Sequence, residues 1–164
     1  MKNDRMYMEM AIEEACLAME SGEIPVGAVL VHDENGVLAR AHNEREAKRD
    51  ATAHAEILAI RRAGKRLGNW RLAGCTLYVT LEPCPMCAGA IIAARLTRLV
   101  YGAPDARAGA VESIFNLPGH PSLHAQLNIA AGIMEDECRA LMKRFFEAKR
   151  RDKFLCCGGN PAML

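Results

Sequence analysis

Cys75-Thr76-Leu77-Tyr78-Val79-Thr80-Leu81-Glu82-Pro83-Cys84-Pro85-Met86-Cys87 runs from an apolar, β-rich segment through a turn marked by two prolines and into Ala88-Gly89-Ala90-Ile91-Ile92. Cys75 to Thr80 has the length and composition of a strand, bounded by Gly74 and by Glu82-Pro83. From Pro85 to about Arg95 the pattern predicts a helix, and Pro85 suits its first turn, where a missing N–H would have no partner anyway. A further strand, Leu99-Val100-Tyr101, ends at Gly102. Strand, helix, strand in close succession is the unit of an α/β protein.

Working outward, Pro25-Val26-Gly27-Ala28-Val29-Leu30-Val31 is an apolar run too short for a lone helix and reads as a buried strand. Asp33-Glu34-Asn35-Gly36 forms a turn, with Asn-Gly as a hairpin signal, and Val37 to Ala41 is the returning strand. A helix precedes this hairpin from about Asp4 to Met19, with Met6, Met10 and Leu17 near the helical period, and Ser21-Gly22 ends it. A polar loop, His42 to Asp50, leads to Thr52, the expected N-cap of a helix from about Ala53 to Lys65. After Gly102 the pattern predicts a short amphipathic piece, Gly109 to Leu117. A last strand near Leu127 to Ala130 and a charged amphipathic helix from Asp136 to Arg151 follow. The expected fold is α/β, a three-layer α-β-α sandwich around a central mixed five-stranded sheet. Residues 1–155 form one domain. Residues 156–164, with Gly158-Gly159-Asn160-Pro161, are expected to be a disordered tail.

The chain of 164 residues is long enough to bury a real core, and 51% hydrophobic with 25% charged residues is a globular composition. Net charge is +1, so any nucleic-acid contact must come from local clusters of Lys and Arg. One such cluster is Arg61-Arg62, Lys65-Arg66 and Arg71. Another is Lys143-Arg144 with Lys149-Arg150-Arg151-Lys153. A charged helical face is usually just solvated, and the density of the second cluster singles it out for RNA contact. Met1 to Met10 lacks an apolar signal region, and no stretch approaches the roughly 18 apolar residues of a membrane span. A cytoplasmic protein is expected, with no membrane partner and no DNA partner. Of seven cysteines, Cys16, Cys75 and Cys138 read as small buried hydrophobes, and a disulfide framework is not expected in a reducing compartment.

Cys84 and Cys87 have metal-ligand spacing, and both the Cys pair and His54 fall at expected helix N-termini, where the helix dipole favours thiolates. One imidazole and two thiolates suit Zn²⁺, and three protein ligands leave a fourth tetrahedral position open for water. A structural zinc would need a fourth ligand, and none stands at convincing spacing. A thioredoxin-like redox pair would leave His54-Ala55-Glu56 unexplained. Glu56, two residues past His54, is close enough to move protons without being a ligand. His42, His120 and His124 are not needed as ligands.

His-x-Glu followed by Pro-Cys-x-x-Cys is the recognised signature of zinc-dependent nucleobase deaminases. The chain resembles the cytidine deaminase superfamily, and within it the bacterial tRNA adenosine deaminases. The resemblance is carried by Pro25 to Val31, Asn43, Thr52-Ala53-His54-Ala55-Glu56-Ile57, Thr76 to Ala90, Val100-Tyr101-Gly102-Ala103-Pro104-Asp105-Ala106-Arg107-Ala108-Gly109-Ala110 and Asp136-Glu137-Cys138. It implies zinc, one ion per subunit, on His54, Cys84 and Cys87, and Glu56 as proton shuttle. It further implies that Asn43 contacts the target base, that backbone at Ala55 and Glu82 orients it, and that Asp105 lines the RNA site. The implied reaction is adenosine to inosine at the wobble position of a tRNA anticodon stem-loop, in a homodimer.

Two stretches depart from the family pattern. Leu123-His124-Ala125-Gln126 stands where an asparagine-histidine pair is usual, and Asp50-Ala51-Thr52 has alanine where proline is common. The first departure leans towards a rival reading, deamination of a free base or nucleoside such as guanine or cytosine. A third reading, a non-catalytic zinc-stabilised RNA-binding subunit, gives Glu56 nothing to do.

Overall fold

Ala28, Leu30, Leu77, Val79 and Leu99 are buried in one apolar cluster, while their chain neighbours Val29, Val31, Tyr78 and Val100 are buried in another. A sheet whose strands are apolar on both faces must be covered on both. In the computed structural model, which describes residues 2–123 and 125–156, these residues lie on three inner strands: β1 (Gly27–His32), β3 (Cys75–Leu81) and β4 (Arg98–Ala103). With β2 (Gly36–His42) and β5 (Asn128–Ala131) they form a five-stranded sheet in the order β2-β1-β3-β4-β5. β1 pairs antiparallel with β2 and β3, while β3–β4 and β4–β5 are parallel, so the sheet is mixed as expected.

The helices α3 (Ala55–Leu67) and α4 (Pro85–Ala93) contribute Leu58, Ala59, Ala63 and Ile91 to the first cluster. The helices α1 (Lys2–Glu20) and α5 (Glu135–Cys156) contribute Met8, Ala11 and Cys138 to the second. The three-layer α/β architecture expected from the sequence is therefore present. At Gly27 the backbones of β1 and α1 nearly touch: a Cβ there would overlap the Ala11 carbonyl oxygen and lie 2.5 Å from the Ala15 nitrogen. Only glycine permits that approach. Asp4, buried at the start of α1, accepts hydrogen bonds from the Tyr78 hydroxyl at 2.8 Å and from both terminal nitrogens of Arg98 at 2.7 and 2.9 Å.

Two local expectations need correction, and a third is made specific. The loop His42 to Asp50 contains a short helix, α2 (Arg45–Lys48), because the carboxylate of Glu23, distant in sequence, accepts the N–H groups of Glu46 and Ala47 at 2.8 and 2.9 Å. Thr52 does not cap α3; its hydroxyl donates to Asp50 at 2.7 Å, and His54 is the N-cap residue. The short amphipathic piece expected at Gly109 to Leu117 is a run of turns, in which a single carboxylate, that of Glu82, accepts the N–H groups of Val111, Glu112 and Ser113. The hairpin holds, with its return strand beginning at Gly36 (φ +65°). α5 continues to Cys156, past the expected end at Arg151. The tail from residue 157 onward and His124 lie outside the described residues. No helix among the described residues is long and apolar enough to cross a membrane.

Candidate active site

His54 and Cys84 are the N-cap residues of α3 and α4, both with extended backbone (φ −75°, ψ 151° and φ −70°, ψ 172°), and neither side chain caps its own helix. Each is therefore free to point past the helix start, and the two starts face each other beyond the end of β3. Cys87, three residues into the same turn as Cys84, shares its face. The His54 Nδ1 atom lies 3.7 Å from Cys84 Sγ and 3.6 Å from Cys87 Sγ. A tetrahedral zinc with Zn–S near 2.3 Å and Zn–N near 2.0–2.1 Å would hold sulfur and nitrogen about 3.6 Å apart. The donor set and its spacing fit zinc, and among the described residues this is the one group of three His, Cys, Asp or Glu side chains close enough to share a metal.

The electrostatics of the three groups are coupled. The Cys84 thiol is brought down to about 4, first by its hydrogen bond with Cys87 and then by His54. Cys87 is pushed up by that same hydrogen bond and by burial. His54 is raised by the Cys84 sulfur beside it. Glu56 is 3% exposed, and its Oε2 has no hydrogen-bond partner among the described residues. Burial raises its pKa above the ordinary carboxylate value. An orphaned carboxylate oxygen next to a metal-ligand cluster is what a proton carrier needs, because a group saturated with donors could not take a proton up.

His54, Glu56 and Cys84 line a cavity of about 380 Å³, within the usual range of small-ligand pockets. Ile24, Val26 and Leu81 form its apolar wall, and Asn43, Glu56 and Glu82 supply polar groups. Arg45, Asp105 and Arg107 also line it, and α5 contributes Met142 and Phe146. The structure thus brings Asn43, His54, Glu56, Glu82, Cys84 and Asp105 to one place. Asn43 is 4% exposed and directly follows β2, its N–H bonded to the Val26 carbonyl at 3.0 Å. Ala55 is buried behind His54 and does not line the cavity. Asp105 turns its own carboxylate onto the N–H groups of Arg107 and Ala108. The Glu82 side chain faces the 105–113 segment. Burial alone would raise its pKa, but the Ser113 hydroxyl and the N–H groups of Glu112, Ser113 and Asp105 bring it down to about 2.

Sequence reasoning missed Arg45, whose Nε is buried without a partner among the described residues, and the contribution of α5 to the wall. Arg45 stood in a stretch read as plain loop, and nothing local announced the remote Glu23 that folds it. The first basic cluster divides. Arg62 donates to the Arg40 carbonyl and to Glu44, and Arg66 to the carbonyls of Val37 and Leu38, whereas Arg61, Lys65 and Arg71 are exposed. In the second cluster, Arg144, Lys149 and Arg151 line a groove with Phe145. Lys149 and Phe145 also line a groove with Asn43 and Arg45, so basic surface continues away from the cavity. His42 pairs with Glu14 at 2.8 Å, and His120 accepts an N–H from Ser122 in an exposed turn. Cys75 and Cys138 are buried, with thiols pushed up by burial to about 11 and about 12.

Comparison with known proteins agrees with this geometry. Residues 1–103 match the family described as the cytidine and deoxycytidylate deaminase zinc-binding region. A tRNA-specific adenosine deaminase of Bacillus subtilis is 47% identical over 154 residues, covering 93% of this chain and 94% of that protein. One from Agrobacterium fabrum is 48% identical over 146 residues, covering 89% and 95%. A structure solved in work on A-to-I editing by tRNA:A34 deaminases at the wobble position superposes with a TM-score of 0.80 at 48% identity, covering 83% of this chain and 98% of the other. The chain belongs to the zinc-binding cytidine and deoxycytidylate deaminase family.

Proposed function

We propose that this protein is a hydrolytic deaminase that converts adenosine to inosine at the wobble position of tRNA and releases ammonia. The observation that carries the reading is the buried Glu56 carboxylate, with one oxygen unpartnered among the described residues, at a cavity it shares with His54 and Cys84 of the His54, Cys84 and Cys87 group. Zinc held by those three ligands supplies a Lewis acid that lowers the pKa of a water to about 7. Glu56 accepts a proton from the attacking water and delivers it to N1 of the adenine, which makes C6 electrophilic. As the C6–O bond forms and the C6–N bond breaks, the same carboxylate carries the second proton to the departing amine. Adenosine and water become inosine and ammonia. Asn43 and the backbone at Glu82, which both line the cavity, orient the base against this group.

The choice of tRNA over a free base rests on the named relatives and on the rim. Arg45 and Arg107 line the cavity, and Lys149, Arg144 and Arg151 extend basic surface outward from it. A free base would need no such rim, whereas an anticodon loop presents phosphates on both sides of a base that is readily turned out of its stack. Asp105 and Phe146 line the same cavity and are the proposed contacts for flanking nucleotides. The working form is a homodimer. α4 carries no charged residue and leaves Met86 36% exposed, while Ile114 and Phe115, about half exposed, follow a segment bonded to Pro83 just before α4. An apolar face of this kind is covered in solution, and a second copy of the chain is the proposed cover. Such an enzyme works in the cytoplasm.

The test is a substrate panel for the zinc-loaded protein: an anticodon stem-loop with adenosine at the wobble position, free adenosine, guanine and cytosine. Inosine in the RNA with little turnover of the small molecules is the expected result. Ammonia from a free base with the RNA untouched would move the protein to nucleobase metabolism.

A further inference from the structure

Glu82 is 2% exposed, and its two carboxylate oxygens take five donors from one segment. One oxygen accepts the N–H groups of Val111, Glu112 and Ser113 at 3.1, 2.8 and 2.9 Å. The other accepts the N–H of Asp105 at 3.0 Å and the Ser113 hydroxyl. Both ends of the 105–113 segment therefore close on a single side chain. Gly109 makes room for it: a Cβ there would overlap the carboxylate and lie 2.6 Å from the Asp105 carbonyl oxygen. Consecutive N–H groups converging on an anion form a stable cradle, and an anionic acceptor strengthens each bond. With five donors in place this carboxylate has no free capacity to shuttle protons, unlike Glu56.

What the segment carries gives the clamp its consequence. Its first part, Asp105 and Arg107, lines the cavity. Directly beyond its last anchor stand Ile114 and Phe115, 51% and 50% exposed, whose N–H groups bond to the Gly109 carbonyl. The Ala110 N–H bonds to the Pro83 carbonyl, next to the ligand Cys84, and Glu112 accepts the Tyr101 hydroxyl from β4. One buried carboxylate thus ties the substrate rim to the apolar edge.

We propose that Glu82 is a positioning residue whose carboxylate holds the Asp105–Arg107 rim and the Ile114–Phe115 edge as one unit, so that affinity for RNA depends on it while the chemical step does not. The proposal rests on the tRNA reading above for its substrate, and its test keeps the two apart. Ser113→Ala, Ser113→Thr and Glu82→Gln are made in the full-length, zinc-loaded chain. KM and kcat are measured on the anticodon stem-loop, zinc is counted per chain, and the rate of trypsin cleavage after the exposed Arg107 is followed.

Ser113→Ala is expected to raise KM about tenfold, equivalent to about 1.4 kcal/mol, with kcat changed no more than about twofold. Ser113→Thr, which keeps the hydroxyl, restores the wild-type KM. Glu82→Gln raises KM further than it lowers kcat and speeds cleavage after Arg107, with one zinc per chain retained. Unchanged KM and unchanged cleavage in both Ser113→Ala and Glu82→Gln overturn the proposal. So does loss of zinc together with kcat at constant KM, which would assign Glu82 to support of the metal ligands. Should Glu82→Gln fail to fold, Ser113→Ala with its threonine control decides. If the wild-type chain makes no inosine in the RNA, the tRNA reading fails, and cleavage after Arg107 still decides whether Glu82 holds the segment.

Discussion

His54 and Cys87, thirty-three residues apart in sequence, meet with Nδ1 and Sγ 3.6 Å apart because each sits in the first turn of a helix whose N-terminus faces the other. The N-cap residues of the two helices, His54 and Cys84, cap neither with their side chains, which leaves these with Cys87 to share an ion. Replacing His54 or Cys87 with alanine is expected to reduce zinc from one per chain to near zero while α1, α5 and the sheet persist. Metal analysis alongside circular dichroism checks this; a His54→Ala protein that still holds one tightly bound zinc would contradict the ligand assignment.

The Asp4–Arg98 pair ties α1 to β4, and its effect should depend on pH. The Arg98 hydrogen bonds and, behind them, the Tyr78 hydroxyl hold Asp4 below the ordinary carboxylate value against the opposing effect of burial. A carboxyl whose folded pKa is depressed adds stability that is fully present above its unfolded value near 4 and is lost as pH falls through the lower folded value. Asp4→Asn is therefore expected to cost about 1–3 kcal/mol at pH 7, and the gap to wild type should close progressively below pH 4. Urea unfolding at a series of pH values measures it. A gap that is constant down to pH 2 would refute the pairing as its cause.

Gly27→Ala should destabilise the fold by about 1–3 kcal/mol or more, since the added methyl meets the α1 backbone and no flexible side chain end. The expected readout is a fall in Tm of several degrees with zinc content unchanged. A substitution that leaves Tm in place would show that α1 shifts freely on β1.

How much of this was legible beforehand follows from the range of each interaction. The strands announce themselves because Val29, Leu30, Leu77, Val79, Leu99 and Val100 are apolar on both faces of the sheet, a pattern local to each run. The metal ligands and Glu56 are legible because their spacing encodes helix starts. What stayed hidden depends on single long-range contacts. Glu23 folds α2, Glu82 gathers Val111, Glu112 and Ser113 into turns, and Arg45 enters the cavity wall only because α2 exists. Nothing within a few residues of Arg45 or Val111 signals a carboxylate more than twenty residues away. The sequence around Glu82 points only to its backbone, whereas its side chain accepts five donors from the 105–113 segment.

If the exposed apolar residues Met86, Ile114 and Phe115 are covered by a second copy, as proposed above, Phe115→Asp, alone or with Met86→Glu, shifts the protein from dimer to monomer at micromolar concentration without loss of zinc. Sedimentation velocity reads this directly. A wild-type chain that is monomeric across that range would remove the homodimer from the account.

The most direct test of the central claim compares wild type with Glu56→Ala, both carrying one zinc per chain, on the wobble-adenosine stem-loop. Glu56→Ala is expected to keep its zinc, its fold and its affinity for the RNA while inosine formation drops by at least about 10²–10⁴-fold, the usual size of a general acid–base contribution. Near-normal inosine formation by the zinc-loaded Glu56→Ala protein would contradict the account, because Glu82 at the cavity already holds five donors and Glu56 is the buried carboxylate with an unpartnered oxygen among the described residues.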